Sequence, residues 1–412
     1  MKLVVVTYGT EGDTRPLAAL CRALMNAGHE TRLLGDGAAL DSATQLGVPW
    51  SALSGNIKRA LMPGETLSSA VRRKGGFNST AKALAKIANT HTAAWMREVV
   101  GATEGCEAII VSGLAAFVGL SVAEYRGIKA IGAGFIPITP TAAFPSPFLP
   151  PDWVPRWFNR GSHRLVNGLL WRAFRNTTNA ARAAVCGLPP RRRVWSDHPM
   201  LYGVSPTILP PPHDWPDNAR ACGQWNIMNP EWRPPAGLEE FLAAGAPPIY
   251  IGFGSMAGFD AHQLMETLAA AVAGRRVLFY PGWSGADTSR LPKDFFAIGE
   301  TPHDWLFPRT SLVIHHGGAG TTHSAARAGV PSVVVPFAGD QFFWADRLKK
   351  LGIAGEPVMG KQIRSSEIAR SMAFAERSDV RARASQLGAQ MAAENGLRDA
   401  VDAIERLTAG SA

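Results

Sequence analysis

The sequence is poor in cysteine, in charged residues and in long apolar runs, and each shortage excludes a class of protein. Its four cysteines, Cys21, Cys106, Cys186 and Cys222, are far apart and form no CxxC pair, so they indicate neither a zinc site nor a disulfide framework. No apolar run reaches membrane-spanning length. The N-terminal MKLVVVTYGT has neither the length nor the cleavage pattern of a signal peptide. We therefore expect a cytoplasmic protein with free thiols and no bound metal.

Charged residues make up only 18% of the chain, yet the formal net charge is +9. Such an excess favours anionic partners. The basic clusters at 72–74 and 191–193 are short, and no aromatic RNA-binding motif accompanies them, which argues against nucleic acid. Weak peripheral contact with anionic lipid stays open as an alternative. The sequence gives no indication of the oligomeric state.

The order of apolar segments predicts two α/β domains. An apolar run at 3–7, a turn at 9–13, a helix whose first turn holds Pro16 and a second run at 31–34 make a β–α–β unit of a parallel sheet. A second series follows, with strand-like runs at 249–253, 276–280, 312–315 and 332–335. Because 412 residues exceed one ordinary core, we predict two doubly wound Rossmann-like domains facing across a cleft.

A proline-rich stretch sets the expected domain boundaries, since prolines stiffen a chain and exclude regular structure. We expect a first domain at 1–210, a linker at 211–218, a second domain at 219–390, and a C-terminal helix at 391–412 that packs back on the first domain.

Residues 312–322, LVIHHGGAGTT, predict a strand that enters a glycine turn and then a helix. The first amides of such a helix lack partners and favour an anion such as a diphosphate. His315 or His316 could add a donor, but adjacent strand residues point to opposite faces, so only one of them suits a single ligand. The pattern is neither GxGxxG nor a P-loop, which makes a dehydrogenase or a P-loop enzyme a poor fit.

Three polar residues follow predicted strands, where parallel sheets bind ligands. Asp340 and Gln341 come after 332–335 and can bind sugar hydroxyls, or Asp340 can cap a helix. Asp13 comes after 3–7 and can act as a general base or as a helix cap. Residues alone leave both alternatives open. No GxSxG motif is present, which excludes a typical serine hydrolase.

The stretch 135–158 combines aromatic residues with prolines and is expected to be a long loop, either functional or a lid over the core. Together with 55–80 it is the candidate for an apolar acceptor pocket. The predicted lining residues are Phe135, Phe144, Phe148 and Trp153.

Six motifs in order resemble the inverting nucleotide-sugar glycosyltransferases of the two-Rossmann-domain (GT-B) architecture. The resemblance covers almost the whole chain and is greatest to sterol glucosyltransferases and to bacterial enzymes that glycosylate antibiotic aglycones. The motifs are YGTEGDTRP (8–16), LYGVSPTILPPPHDWP (201–216), IGFGSM (251–256), PHDWLF (302–307), HHGGAGTT (315–322) and VPFAGDQFFWADR (335–347).

The resemblance implies a role for each matching residue. Asp13 corresponds to the catalytic base, and Asp340 and Gln341 correspond to the pair that holds the transferred hexose. The implied diphosphate-binding residues are Ser255, His315, Gly318, Ala319, Gly320 and Thr321. The implied nucleobase and ribose contacts are Glu300, Thr301, Pro302, His303, Trp305 and His323.

Two departures from the plant members of this superfamily affect those roles. His323 stands where they carry a ribose-binding Glu, so the choice between UDP and dTDP stays open. The stretch VSG at 111–113 lacks the Asp that supports their catalytic histidine, which favours Asp13 acting alone.

The resemblance therefore implies transfer of a hexose, with glucose the leading candidate, from a UDP- or dTDP-sugar to a hydroxyl of a sterol, polyketide or lipid-like acceptor. It implies inversion at the anomeric carbon and no cofactor or metal beyond the donor. Two alternatives stay open: a nucleotide-sugar epimerase of the same fold, and a non-catalytic protein that binds a nucleotide-sugar or an aglycone.

Overall fold

The computed structural model describes residues 1–61, 76–229, 231–254, 261–283, 287–359 and 363–409. The strands of these residues form two parallel sheets, one of seven strands and one of five. They are Lys2–Val6 (β1), Glu30–Asp36 (β2), Trp50–Leu53 (β3), Ala108–Val111 (β4), Lys129–Gly134 (β5), Met200–Tyr202 (β6), Ala219–Ala221 (β7), Ile249–Gly252 (β8), Val277–Tyr280 (β9), Phe295–Ala297 (β10), Leu312–His315 (β11) and Ser332–Val334 (β12).

Helices connect these strands and cover both faces of each sheet. They are Glu11–Asn26 (α1), Asp41–Gln45 (α2), Ile57–Leu61 (α3), Gly76–Ala102 (α4), Ala116–Arg126 (α5), Asn159–Cys186 (α6), Ala236–Ala243 (α7), Ala261–Ala271 (α8), His303–Leu306 (α9), Ala319–Arg327 (α10), Gln341–Lys350 (α11), Ser365–Ala375 (α12), Ser378–Ala392 (α13) and Gly396–Ala409 (α14). Within this described part, no helix is both long and apolar enough to cross a membrane.

Both sheets have the strand order of doubly wound folds. The first runs β3-β2-β1-β4-β5-β6-β7 and the second runs β10-β9-β8-β11-β12. All four residues of β4 are buried, because a parallel strand covered on both faces needs a continuous apolar run. Leu3 and Val5 pack under α1 and α14, whereas Val4 and Val6 pack under α4 and α5. The prediction of two doubly wound domains is confirmed.

Helix α1 begins earlier than the sequence predicted. Thr10 is its N-cap, and the side chains of Thr10 and Asp13 form a capping box, so residues expected in a turn belong to the first helical turn. Pro16 consequently lies inside the helix rather than at its start. Asp13 is thereby held on a rigid element rather than in a loop.

The expected linker at 211–218 connects two strands of the first sheet. Its following strand, β7, pairs in parallel with β6, so the chain leaves the first sheet only after Ala221. The domain start expected at 219 is therefore wrong, since sequence patterning cannot show which sheet a three-residue strand joins.

The two domains share an apolar contact and a polar one. Phe144 packs against Phe343 with ring centroids 5.2 Å apart, which joins the first domain to α11. The Glu394 carboxylate accepts hydrogen bonds from the Ser205 hydroxyl at 2.8 Å and the Thr207 hydroxyl at 2.6 Å. Helix α14 then packs on α1, where Ala400 and Ile404 are fully buried. These contacts hold the two sheets in one fixed arrangement.

Candidate functional site

The strand order reverses once in each sheet, and the candidate residues follow those two points. In the first sheet the reversal lies between β1 and β4, and in the second it lies between β8 and β11. Ligands of open parallel sheets bind outside the carboxyl ends of strands at such points. Asp13 follows β1, and His315 ends β11.

Asp13 is positioned by the first turn of α1. Its Oδ2 accepts hydrogen bonds from the Thr10 amide at 2.8 Å and from the Thr10 hydroxyl at 3.2 Å. A side chain at Gly9 would collide with this carboxylate, so the glycine makes room for it. Burial raises the pKa of Asp13, and the Thr10 hydrogen bonds oppose that rise. Asp13 is thus both a helix cap and a basic carboxylate at the switch point.

The turn between β11 and α10 forms a candidate anion site. Gly317 has φ +90°, and a Cβ there would lie 2.9 Å from Val334 Cγ1 and 3.0 Å from the Gln341 carbonyl oxygen. Gly318 is the N-cap of α10 and has no side chain that could accept hydrogen bonds from the amides of the first turn. Those amides belong to Ala319, Gly320 and Thr321, and with the helix dipole they favour an anion.

His315 adds a neutral donor beside this turn. Its side chain is fully buried, and the Gly317 amide donates to Nδ1 at 3.1 Å. Because Nδ1 accepts, the proton of the neutral ring is assigned to Nε2, which is buried without a partner among the described residues. Burial, followed by the nearby His316 and His303, lowers the pKa of His315 well below its usual value. The ring therefore offers an uncharged N–H at physiological pH.

His316 packs within the turn. A Cβ at Gly254 would lie 3.2 Å from its Cε1, and a Cβ at Gly318 would lie 3.1 Å from the same atom. Burial lowers the pKa of His316 to about 4. The ring thus fills the space that these two glycines leave.

Asp340 and Gln341 both lie at the start of α11, but their side chains differ in function. The Trp344 indole N–H donates to Asp340 Oδ2 at 2.9 Å. Burial raises the pKa of Asp340 to about 6, and the charge of Asp13 contributes to the rise. The side-chain Oε1 of Gln341 accepts hydrogen bonds from the Phe337 and Ala338 amides at 2.7 and 3.0 Å, so this side chain fixes the turn before the helix.

The first domain faces this site through Arg15. Its guanidinium forms an ion pair with Glu300 of the second domain and lies 3.5 Å from Glu11. Burial lowers the pKa of His303 to about 3, and the charge of Arg15 adds to that effect. The Arg15–Glu300 pair therefore connects α1 directly to the predicted nucleobase and ribose residues.

The predicted nucleobase and ribose residues are held in place by packing around α9. The Thr301 hydroxyl donates to the Gly299 carbonyl at 3.1 Å, and Pro302 is the N-cap of the helix. The His303 ring stacks on Phe307 with centroids 4.2 Å apart. The half-buried Trp305 ring lies 5.1 Å from Trp232, with the Arg309 guanidinium 4.3 Å from its centroid.

His323 is one turn into α10 and is buried. Its Nδ1–H donates to the Ala319 carbonyl at 2.7 Å, which leaves Nε2 as an acceptor. Within the described ranges this Nε2 has no partner. Burial lowers the pKa of His323 to about 4. The ring meets the edge of Trp344 at 5.0 Å, which is the indole that holds Asp340.

The structure does not bring the four predicted acceptor-pocket residues together. Phe135 packs against Trp225 in the core of the first domain, and Phe144 belongs to the interdomain contact. Phe148 is half-buried, and Trp153 is 79% exposed. The prediction of one shared aromatic pocket is therefore wrong for this set, because apolar character alone does not separate core residues from lining residues.

Two further predictions remain: one concerns residues that the structure does not describe, and the other concerns a metal ion. Ser255 and part of the 55–80 segment lie outside the described residues. Across the ranges that are described, no three His, Cys, Asp or Glu side chains come together as a metal site.

Sequence reasoning missed Gly9, Arg15 and Trp344. Trp344 lies four residues after Asp340 on one helix, a spacing that brings two side chains onto the same face and could have signalled the contact. Arg15 and Glu300 are far apart in sequence, so no local pattern could have paired them.

The chain is similar in sequence to glycosyltransferases. Residues 262–407 match the C-terminal domain model of erythromycin biosynthesis protein CIII-like proteins. The sterol 3-beta-glucosyltransferase of Debaryomyces hansenii is 31% identical over 97% of this chain and 26% of its own length. That of Saccharomyces cerevisiae is 30% identical over 98% of this chain and 35% of its own length. The chain thus spans about a quarter to a third of these curated relatives.

Solved structures agree on the fold. The spinosyn forosaminyltransferase SpnP has a TM-score of 0.69 at 16% identity, with 99% of each chain covered. The glycosyltransferase VinC, solved in complex with dTDP, has a TM-score of 0.66 at 16% identity, covering 99% of this chain and all of its own. These structures show the GT-B fold, and together with the sequence relatives they support a glycosyltransferase of the UDP-glycosyltransferase superfamily.

The half-buried Asp340 carboxylate should lower stability near neutral pH. Its folded pKa of about 6 exceeds the unfolded value, so relative stability is lost as pH rises through 6. We expect Asp340→Asn to raise the free energy of unfolding at pH 8 by about 1–3 kcal/mol and to give no gain at pH 4. Denaturant titrations at both pH values measure this.

The matched control is Asp379→Asn, which removes an exposed carboxylate on α13. It should change the free energy of unfolding little at either pH. An equal stabilisation by Asp340→Asn at pH 4 and pH 8 would contradict the claim that ionisation of Asp340 destabilises the folded protein.

Proposed function

We propose that the protein is an inverting glycosyltransferase that moves a hexose, with glucose the leading candidate, from UDP or dTDP to a hydroxyl of an apolar acceptor. The observation that carries this proposal is the approach of two carboxylates from different domains, Asp13 after β1 and Asp340 after β12, near the anion site. The charge of Asp13 adds to the raised pKa of Asp340, although the two residues belong to different domains. The relatives named as sterol glucosyltransferases support the reaction class.

The anion site would hold the diphosphate of the donor. The amides of Ala319, Gly320 and Thr321 and the Nε2–H of His315 are donors fixed before the ligand arrives. When the glycosidic bond to the diphosphate breaks, negative charge grows on the departing oxygen, and preorganised donors stabilise that charge. We infer that these donors suffice without a metal ion.

Asp13 would act as the base. Both Thr10 donors bind Oδ2, so Oδ1 is the oxygen that takes the proton of the acceptor hydroxyl. The acceptor oxygen attacks the anomeric carbon from the side opposite the diphosphate, which inverts the configuration. The raised pKa of Asp13 makes it a stronger base than an exposed carboxylate.

Asp340 would accept hydrogen bonds from hydroxyls of the hexose. Trp344 orients its carboxylate, and the side chain of Gln341 fixes the turn that precedes it. His323 offers an acceptor nitrogen near the start of α10, where a ribose hydroxyl could donate. Both UDP and dTDP remain donor candidates.

The acceptor would bind on the first domain beside Tyr8. Tyr8 and Trp95 lie 4.3 Å apart between ring centroids in an apolar cluster that also includes Ile57. Trp283 of the second domain packs against the same cluster. An apolar alcohol suits such surroundings, and the names of the relatives mention a sterol and erythromycin biosynthesis.

Asp13→Asn is the direct test of the base. The amide oxygen can still accept from Thr10, so the helix cap persists while the basic carboxylate is lost. We expect transfer from UDP- or dTDP-glucose to pooled sterols and polyketide aglycones to fall about 10²–10⁴-fold. Product masses measure transfer, and calorimetry should show nucleotide binding within about twofold of the parent.

Asp41→Asn, which changes an exposed first-turn carboxylate of α2, is the control and should retain full transfer. Undiminished transfer by Asp13→Asn would refute the base assignment. Conversion of the nucleotide-sugar without an acceptor would indicate an epimerase, and binding without any conversion would indicate an auxiliary protein.

The pH dependence of transfer should reflect the ionisation of Asp13 and Asp340. Asp13 must be ionised to take a proton, and Asp340 accepts hydrogen bonds more strongly when it is ionised. Burial raises the pKa of both. We therefore expect kcat/KM to fall as pH drops through about 6, rather than near 4 as for exposed carboxylates. Initial rates between pH 4.5 and pH 8 measure this. A flat profile down to about pH 5 would contradict it.

A further inference from the structure

One surface of the first domain exposes large apolar side chains. The short helical turn Arg156–Phe158 leads directly into α6, and Trp157 within it is 84% exposed. On α6, Leu165 and Leu169 are each 51% exposed. Leu165 and Leu169 are four residues apart on α6, which places them on one side of the helix, and Trp157 lies in the turn that precedes it. Contiguous exposed apolar side chains of this kind mark interaction sites.

A row of arginines runs beside these apolar residues. Helix α6 contains five arginines and no aspartate or glutamate over its 28 residues. Three of them line a cleft of about 610 Å³ together with two from the following loop, and we call this the arginine cleft. Its arginines are Arg164, Arg172, Arg175, Arg192 and Arg193.

The arginines of the cleft differ from the other arginines of α6 in their ion pairing within the described residues. Other arginines of α6 are paired: Arg160 lies 2.6 Å from Asp214, and Arg182 lies 3.0 Å from Glu124. In contrast, none of the five cleft arginines forms an ion pair with a carboxylate of the described ranges. Like charges held this close repel one another, so an external anion would stabilise them.

The arginine cleft is connected to the segment between β1 and α1, which precedes Asp13. The Leu114 amide donates to the Tyr8 carbonyl at 3.0 Å, next to β1. Phe117 follows on α5, and its ring lies 5.1 Å from that of Trp171. Trp171 lines the arginine cleft. A short path of contacts thus joins the exposed surface to the candidate acceptor side of the site.

We propose that this surface docks the protein onto a bilayer that contains anionic phospholipid. Trp157, Leu165 and Leu169 would enter the interfacial layer, and the cleft arginines would bind lipid phosphates. An apolar stripe beside a cationic stripe is the arrangement of helices that lie in a membrane interface. The net charge of +9 complements such a surface. The docking is independent of the proposed reaction, because it is measured without donor or acceptor.

Vesicle flotation with the full chain tests the docking. We expect the protein to float with vesicles of phosphatidylcholine that contain about 30 mol% phosphatidylserine, and to stay at the bottom with phosphatidylcholine alone. About 0.5 M NaCl should release most of it. Glycerol phosphate in the millimolar range should not compete, because one headgroup does not reproduce a charged surface with an apolar interior.

Two variants separate the charged from the apolar contribution. Arg172→Glu/Arg175→Glu should lower the vesicle partition coefficient at least about tenfold, since each basic residue near an anionic surface contributes measurably. Trp157→Ala should lower it about threefold or more. Arg370→Glu/Arg381→Glu makes the same change of charge on exposed helix positions of the second domain and is the matched control. Thermal melts check that each variant is folded.

Three outcomes would overturn the proposal. The first is equal flotation with neutral and anionic vesicles, or none with either. The second is an equal loss of binding in the Arg370/Arg381 control. The third is release of the protein from vesicles by glycerol phosphate or by single-stranded RNA, if that ligand binds the parent and not the Arg172→Glu/Arg175→Glu variant. This result would assign the arginine cleft to a soluble anion or to nucleic acid.

Discussion

The left-handed turn at Gly317 is the constraint on which the candidate site depends. Its φ of +90° allows β11 to pass into α10 within a few residues, and a side chain there would meet Val334 and the Gln341 backbone. The same residue donates its amide to Nδ1 of His315 and thereby leaves the Nε2 proton available. One glycine thus sets the direction of the helix dipole, the tautomer of the histidine and the distance to α11, where Asp340 lies.

The second constraint is that the two carboxylates of the site come from separate domains and that the charge of Asp13 contributes to the raised pKa of Asp340. Each is oriented by a neighbour on its own helix, Asp13 by Thr10 and Asp340 by Trp344. Burial of both raises their pKa values, which lowers stability but increases basicity and hydrogen-bonding strength. The arrangement requires the domains to stay together, and the Arg15–Glu300 pair and the hydrogen bonds of Glu394 supply that connection. Site chemistry and interdomain packing are therefore coupled.

Local patterns predicted the parts of the molecule that local forces determine. Apolar runs separated by helical periodicity gave the two parallel sheets, and HHGGAGTT gave the strand–turn–helix of the anion site. The predicted linker at 211–218 was wrong because strand pairing of β7 is a long-range choice. Phe135 and Phe144 proved to be core residues, since composition does not reveal which apolar side chains face one another. The Arg15–Glu300 pair joins residues whose proximity exists only after both domains fold.

The most direct test of the account is a crystal structure of the protein with UDP or dTDP. We predict that the diphosphate oxygens lie about 3 Å from the amides of Ala319–Thr321 and from Nε2 of His315, the distance of a charge-assisted hydrogen bond. Asp13 should face the same cavity from the first domain. A nucleotide bound elsewhere while the start of α10 stays in contact with solvent alone would contradict the central claim.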